Sequence, residues 1–314
     1  MYCNTKGGIM NNLQDRLIGS LVGLAVGDAV GTTVEFKPRG TFPRHTDMTG
    51  GGPFRLPVGY WTDDTSMALC LAESLLFEPS LDPDDVLTRF CNWYNYGYNS
   101  PTGKCFDSGS TTVTALEKYL NTGSVKNNSA VYHAGNGSIM RLAPVSIMHH
   151  RDRIVSAKVA AAQSETTHAT ETTTTSSELL SDILINCYTA TDKMDVMNVE
   201  VQQHWPSLVS NIVTENVKDK TESQIRSTGY VIHTLEAAVW CFLNTDNFRD
   251  AIITAVNLGD DADTVGAVTG QIAGAYYGES GIPQEWKDKL YDYDRIRNIA
   301  RQLSQQADGS ISGH

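Results

Sequence analysis

The six cysteines stand at positions 3, 70, 91, 105, 187 and 241, with no CxxC pair and no histidine at zinc-ligand spacing. That excludes a zinc-ribbon or disulfide scaffold and leaves reduced thiols as the simple reading. Positive charge is also scarce: 24 Lys and Arg stand against 36 Asp and Glu, a net charge of −12. Such a chain lacks the electrostatic footprint for nucleic acid or an anionic membrane surface. Ten prolines and 26 glycines in 314 residues leave no room for a collagen-like or low-complexity reading. No HExxH, no GxxxxGK[ST] and no twelve-residue calcium loop ending in a ligating Glu occurs. The opening MYCNTKGGIMNN has no apolar core of the kind a secretory signal needs.

Apolar residues make up 40% of the chain and charged residues 19%, enough material for a buried core. In residues 13–34, Gly19, Gly23, Gly27 and Gly31 recur every four positions, as do Leu17, Leu21 and Ala25. This spacing predicts a helix with its glycines in one row. Each helical glycine costs about 1 kcal/mol relative to alanine. The row therefore requires a gain elsewhere, and close approach of another backbone would supply it. Asp28 inside the stretch argues against a membrane span and for a buried helix. A second row, Gly266, Gly270, Gly274 and Gly278, lies in the apolar segment after residue 262.

Further helices are expected from Asp63 to Phe77, Asp84 to Tyr94, and over 111–120, 138–149 and 154–163. One long helix is expected over 164–189, then others over 229–243 and 248–259. Residues 40–61, 100–110 and 121–137 read as loops rich in Gly, Pro and polar residues. Strand alternation is absent. The expected fold is all-α: a single compact orthogonal multi-helix domain over 12–304, with flexible tails at 1–11 and 305–314.

Two acidic clusters stand where a loop becomes an apolar helix: Trp61-Thr62-Asp63-Asp64-Thr65 and Gly259-Asp260-Asp261-Ala262-Asp263-Thr264. Helix capping accounts for one acid in each. The others need a counter-charge or solvent. Carboxylate and hydroxyl oxygens are hard ligands suited to Mg²⁺, Mn²⁺ or Ca²⁺. Clusters from distant parts of the chain could share a binuclear site between helix N-termini, with metals about 3.5–4 Å apart.

Six segments in order also carry a resemblance: GSLVGLAVGDAVGTTVEF, MTGGGPFRLPVGYWTDDTSMAL, GKCFDSGSTTVTAL, GNGSIMRLAPV, GYVIHTLEAAVW and NLGDDADTVGAVTGQIAGAYYG. Together the chain resembles the ADP-ribosylglycohydrolase family, including its dinitrogenase reductase-activating type, over about residues 17–278. The resemblance implies two divalent cations, Mg²⁺ or Mn²⁺. It implies Thr62, Asp63, Asp64, Asp261, Asp263 and Thr264 as metal ligands, and Glu35 and Asp107 as catalytic acids. Gly109, Ser110, Asn136, Gly137, Ser138, Met140, His168 and Tyr230 are implied as substrate contacts. Many relatives carry Gly-Gly-Asp-x-Asp-Thr in the second cluster, so Asp260 is an extra acid, expected to face solvent or stand behind the ligands.

The implied activity is metal-dependent removal of ADP-ribose from a modified protein, with ADP-ribose as product. Arginine is the expected linkage, since Asp107 could pair with a leaving guanidinium. Hydrolysis of a serine-linked or small-molecule ADP-ribose, a catalytically silent crystallin-like relative and a different binuclear phosphohydrolase are the alternatives. A cytoplasmic monomer that binds neither nucleic acid nor membrane is expected.

Overall fold

Where residue 19 of the first glycine row meets residue 274 of the second, a Cβ would sit 2.4 Å from a carbonyl oxygen. The same holds down the pair: a Cβ on Gly23 would lie 2.2 Å from Gly270 O, on Gly27 2.0 Å from Gly266 O, and on Gly31 2.4 Å from Ala262 O. One set of numbers rises as the other falls, so the two helices run antiparallel with backbones in contact. The close approach expected from the first row is met by the second row itself, and no side chain larger than hydrogen fits between them.

The computed structural model describes residues 5–125 and 134–309, with side chains from Leu13 onward. The first helix of the pair is α1 (Thr5–Gly31). Its residues from Leu17 to Gly31 are buried all round, as an apolar helix at the centre of a domain must be. Four helices follow it: α2 (Asp63–Phe77), α3 (Pro83–Tyr96), α4 (Ser110–Thr122) and the short α5 (Ala143–Met148). Next come α6 (Arg153–Glu165), α7 (Glu171–Thr189), α8 (Lys193–Val196), α9 (Ser207–Thr214), α10 (Val231–Leu243) and α11 (Phe248–Val256). The second member of the central pair is α12 (Ala262–Tyr277), and α13 (Gln284–Lys289) and α14 (Tyr293–Ala307) end the order.

Helices α7, α10 and α11 pack on α12, and α14 packs on α1 and α2. One continuous apolar core runs from Leu17 through Trp61, Phe90 and Phe242 to Leu303. Among the described residues there is no strand, only isolated bridges between Gly51 and Leu56 and between Gly135 and Tyr230. No helix among them is long and apolar enough to cross a membrane. The five described cysteines are free thiols.

The long helix expected over 164–189 is two helices. The chain leaves α6 at Glu165 and re-enters a helix at Glu171, where the Thr170 hydroxyl accepts from Thr173 N and Thr173 answers at Thr170 N. That reciprocal cap starts a new helix and leaves His168 in the gap. The helix expected over 138–149 begins only at Ala143, behind a tight turn. The sequence reading has no helix after Gly278, yet α13 and α14 lie there. Helix α1 begins inside the first expected tail, and α14 continues to Ala307 inside the second. The remainder of those tails, 1–4 and 310–314, lies outside the described residues.

Candidate active site

The antiparallel pair brings the C-terminal end of α1 to the N-terminal end of α12. Asp28 sits one residue past Gly27, and Asp263 three residues before Gly266. Helix α2 starts against both. Thr62 donates from its backbone N (2.9 Å) and its hydroxyl (3.0 Å) to Asp28 Oδ1. Thr65 donates from N (3.1 Å) and hydroxyl (2.6 Å) to Asp28 Oδ2. Four donors on one buried carboxylate favour its ionised form, while burial opposes it. Burial prevails, and Asp28 is pushed up to about 6.

Capping does not explain the clusters. Neither Thr62 nor Asp261, the N-cap residues of α2 and α12, caps its helix by accepting a backbone N–H through its side chain. Instead the side chains reach across. The Thr62 hydroxyl lies 3.2 Å from Asp263 Oδ2, and Thr264 Oγ1 donates to Asp64 Oδ1 at 3.3 Å. Asp261 Oδ2 accepts from Asn136 Nδ2 at 2.6 Å, and the same amide reaches Thr234 Oγ1 at 2.9 Å.

Two groups of three carboxylates result, each with one oxygen per residue and all three oxygens within 4.8 Å of one another: Asp28, Asp64 and Asp263, and Glu35, Asp107 and Asp263. Asp263 belongs to both. Asp64 Oδ2, Asp263 Oδ1 and Glu35 Oε2 are buried and bond no partner among the described residues. Leaving a carboxylate oxygen buried and unpaired costs several kcal/mol. The cost shows in the acidities. Burial, then Asp107 and Asp261, pushes Glu35 up to about 10. Burial and Asp261 push Asp107 up to about 7. Asp63, Asp64 and Asp263 are raised well above the ordinary range by burial first and then by neighbouring carboxylates, foremost Asp107 on Asp63, Asp28 on Asp64 and Glu35 on Asp263, and Asp261 is raised by burial first. An all-oxygen set with orphaned buried atoms fits hard divalent ions.

The second triad, Glu35, Asp107 and Asp263, opens onto a cleft of about 680 Å³ that Asp28 and Asp64 of the first do not line. Asp63, Asp261 and Thr264 also line it, together with Gly109, Ser110, Asn136, Gly137, Met140 and His168. Thr62 and Asp64 lie buried beneath the lining. Ser138 is fully buried away from the cleft, its carbonyl taken by Gln163 and its hydroxyl by Ser177. Tyr230 is also outside the lining. Its backbone pairs with Gly135, and its ring stands edge-on to His233 at 5.0 Å. Asp260 is exposed at the rim, as expected of the extra acid.

Three rim residues hold left-handed backbone without being glycine: Phe36 (φ 61°), Asp107 (φ 53°) and Asp260 (φ 55°). Aspartate tolerates this region, whereas phenylalanine is strained there. Phe36 N donates to Asp260 O at 2.7 Å and Asp260 N to Lys37 O at 2.9 Å, so the loop after α1 is tied to the loop before α12. Glu35, which follows a helix and could have faced solvent, is only 3% exposed.

Sequence reasoning missed Asp28 and Thr65. The signal was present as one acid in an otherwise apolar helix, but its partners lie 34 and 37 positions away. Arg141, fully buried behind the cleft, was also missed.

The ADP-ribosylglycohydrolase family model matches residues 10–312. An ADP-ribosylarginine hydrolase Tri1 from Serratia proteamaculans is 48% identical over 290 residues, 92% of this chain and 79% of that protein. An ADP-ribosyl-[dinitrogen reductase] glycohydrolase from Rhodospirillum rubrum is 32% identical, covering 93% of this chain and 95% of that one. A solved structure, an ADP-ribosylglycohydrolase-related protein complex, superposes with a TM-score of 0.81 at 37% identity, over 95% of this chain and 99% of that chain.

Proposed function

The chain belongs to the ADP-ribosylglycohydrolase family, and from that premise we propose that it hydrolyses the N-glycosidic bond between ADP-ribose and an arginine side chain of a modified protein. The observation that carries the reading is the pair of carboxylate triads joined at Asp263, with buried oxygens that bond no partner among the described residues. Relatives named as ADP-ribosylarginine hydrolases, similar over most of the chain, support the arginine linkage.

Asp28, Asp64 and Asp263 would hold one divalent cation, and Glu35, Asp107 and Asp263 a second, Mg²⁺ or Mn²⁺. Thr62, Asp63, Asp261 and Thr264 stand around them as further oxygen donors. Bound there, such ions would supply positive charge and make a water more acidic. The protein's own part is positioning and proton movement. Asp107, at the cleft wall, pairs with the departing guanidinium. Glu35 takes the proton of the water whose oxygen bonds to C1″ and returns that proton to the guanidine nitrogen as the bond from C1″ to that nitrogen breaks. Asn136 fixes Asp261 through its amide. Gly109 and Ser110 present the N-terminal end of α4, and Gly137 offers unhindered backbone, to the diphosphate. Met140 gives the ribose an apolar side. Ser138 and Tyr230 act from behind, by shaping the loop at 135–137.

Purified protein incubated with ADP-ribosyl-arginine and Mg²⁺ should release free ADP-ribose, and a serine-linked peptide should be cleaved far more slowly. Release of AMP would indicate a phosphohydrolase. No release with either linkage would leave a silent relative, and faster serine-linked turnover would overturn the arginine assignment. A cytoplasmic monomer is the state assumed; sizing of the purified protein tests the second half of that.

A further inference from the structure

Phe36 is an expensive residue at its position on two counts. Its backbone is left-handed (φ 61°), a region where a phenylalanine is strained. Its side chain is 62% exposed, so burial offsets little of that strain. The two rim residues that share its backbone conformation, Asp107 and Asp260, are aspartates, which tolerate it. A large apolar side chain held in strain at the mouth of a cleft calls for something that comes to cover it.

The surroundings say what that is. Phe54 stands beside Phe36 with ring centroids 6.3 Å apart at 72°, and Phe54 meets Phe106 at 5.1 Å. An edge contact of this kind leaves at least one face of the Phe36 ring free of Phe54. Phe36 lines the cleft, whereas Phe54 and Phe106 do not. Phe36 N donates to Asp260 O at 2.7 Å, which ties the strained residue to the extra acid. Asp260 is exposed, lines the same cleft and belongs to neither carboxylate triad, so its charge lies outside the sets that would hold ions. No Lys or Arg is among the described residues that line the cleft, and none of the described cations stands over Phe36, Phe54 or Phe106. The cations nearest in sequence are held by backbone carbonyls. Lys37 Nζ donates to Thr33 O at 3.3 Å, and Arg39 donates to Leu258 O, Glu222 O and Ile225 O at 3.0, 2.6 and 2.7 Å. An open ring face beside a free carboxylate suits a planar, weakly hydrated cation, which stacks on the one and bonds the other.

We infer that Phe36 and Asp260, together with Asp107, form the subsite for the guanidinium of the modified arginine, and that this pair sets the preference for arginine over serine. The assignment rests on the arginine reading of the cleft given above. Glu35 precedes Phe36 in the chain and Phe106 precedes Asp107, so the rings flank the two acids placed at the reacting bond. A serine-linked substrate brings no planar cation and gains neither contact. ADP-ribose lacks the guanidinium as well, so its affinity does not depend on the pair.

The test is steady-state hydrolysis of ADP-ribosyl-arginine in Mg²⁺ beside calorimetric binding of ADP-ribose, in wild type, Phe36→Leu, Phe36→Tyr and Asp260→Asn. Leucine keeps apolar bulk without the negative ring face, and asparagine keeps the left-handed backbone without the charge. Phe36→Leu and Asp260→Asn should each raise KM about fivefold with kcat within about twofold of wild type. Phe36→Tyr should keep the wild-type KM, and every variant should bind ADP-ribose within about twofold of wild type. An unmoved KM in either of the first two variants overturns the proposal. So does an ADP-ribose affinity that falls in step with KM, or a kcat that falls in its place, which would trace the effect to a displaced Glu35. Failure of the enzymatic reading shows differently, as a wild type that does not consume ADP-ribosyl-arginine. Calorimetry with the uncleaved compound should then show the same fivefold loss in Phe36→Leu and Asp260→Asn, and equal binding would overturn the subsite on its own account.

Discussion

Asp263 is the residue on which both triads depend, one carboxylate counted in each. Asp263→Asn replaces an oxygen by an amide donor and should lower divalent-ion affinity by at least roughly a hundredfold, more than the loss of a supporting partner. Titration of the metal-free variant with Mn²⁺, followed by electron paramagnetic resonance, would read this directly. An affinity equal to wild type would remove Asp263 from the site. Asp28 makes a different case. It accepts four hydrogen bonds, two from backbone N–H groups that cannot turn away. Asp28→Asn points an NH₂ at one pair of donors and should cost about 2–3 kcal/mol in denaturant unfolding. The contrast explains what the sequence makes legible. Asp63, Asp64, Asp261 and Asp263 stand out because acids crowd where a helix begins. Asp28 is solitary among apolar neighbours, and only folding supplies the threonines that give it meaning. Glu35 and Asp107 are legible through family resemblance alone, since an isolated acid after a helix or in a glycine-rich loop has an ordinary explanation.

At the scale of elements, the two glycine rows are the feature the sequence states most plainly. Glycine spaced every fourth residue at a helical cost asks for a partner surface without side chains, and each row is the other's answer. Gly270→Ala gains about 1 kcal/mol of helix propensity. It also places a Cβ 2.0 Å from Gly23 O, against backbone that cannot rotate aside. The clash should dominate, giving a net loss of about 1–3 kcal/mol in equilibrium unfolding. A stabilised variant would mean that the helices are not in backbone contact. The split between α6 and α7 was less legible. Leu179, Leu180, Ile183 and Leu184 keep helical spacing, and the threonine-rich stretch before them carries no glycine or proline to announce a break. The stop is made by hydroxyl groups: Ser164 Oγ donates to His168 O, and Thr173 Oγ1 also donates to it. Such bonds depend on conformation as well as composition, so the gap that exposes His168 to the cleft does not appear as a pattern. In α14 the apolar stripe Ile296, Ile299, Ala300 and Leu303 is short and set among charged residues, and its burial comes from packing on α1 and α2.

At the scale of the whole molecule, a chain with net charge −12 gathers acids from the end of α1, the start of α2, the loop before α4 and the start of α12 around one cleft. Without cations these groups hold protons in the fold that they would release when unfolded. Asp107 rises from 3.8 to about 7 and Asp28 from 3.8 to about 6. A carboxyl raised in this way favours the fold fully below its unfolded value and loses that contribution as pH climbs through its folded one. Metal-free protein should therefore become less stable between about pH 4 and pH 7. The loss should be at least ~1 kcal/mol, or roughly 2 °C in melting temperature for a chain of this length. Saturating Mg²⁺ or Mn²⁺ reverses the sign, because ions bind the deprotonated oxygens of the folded state and compete with protons there. The loaded protein should hold or gain melting temperature over the same window and lose it on acidification. Thermal scans at several pH values, in chelator and in excess metal, would give two curves that diverge as pH rises. Parallel curves would mean that the acids meet without sharing an ion, and the hydrolytic reading would lose its physical basis.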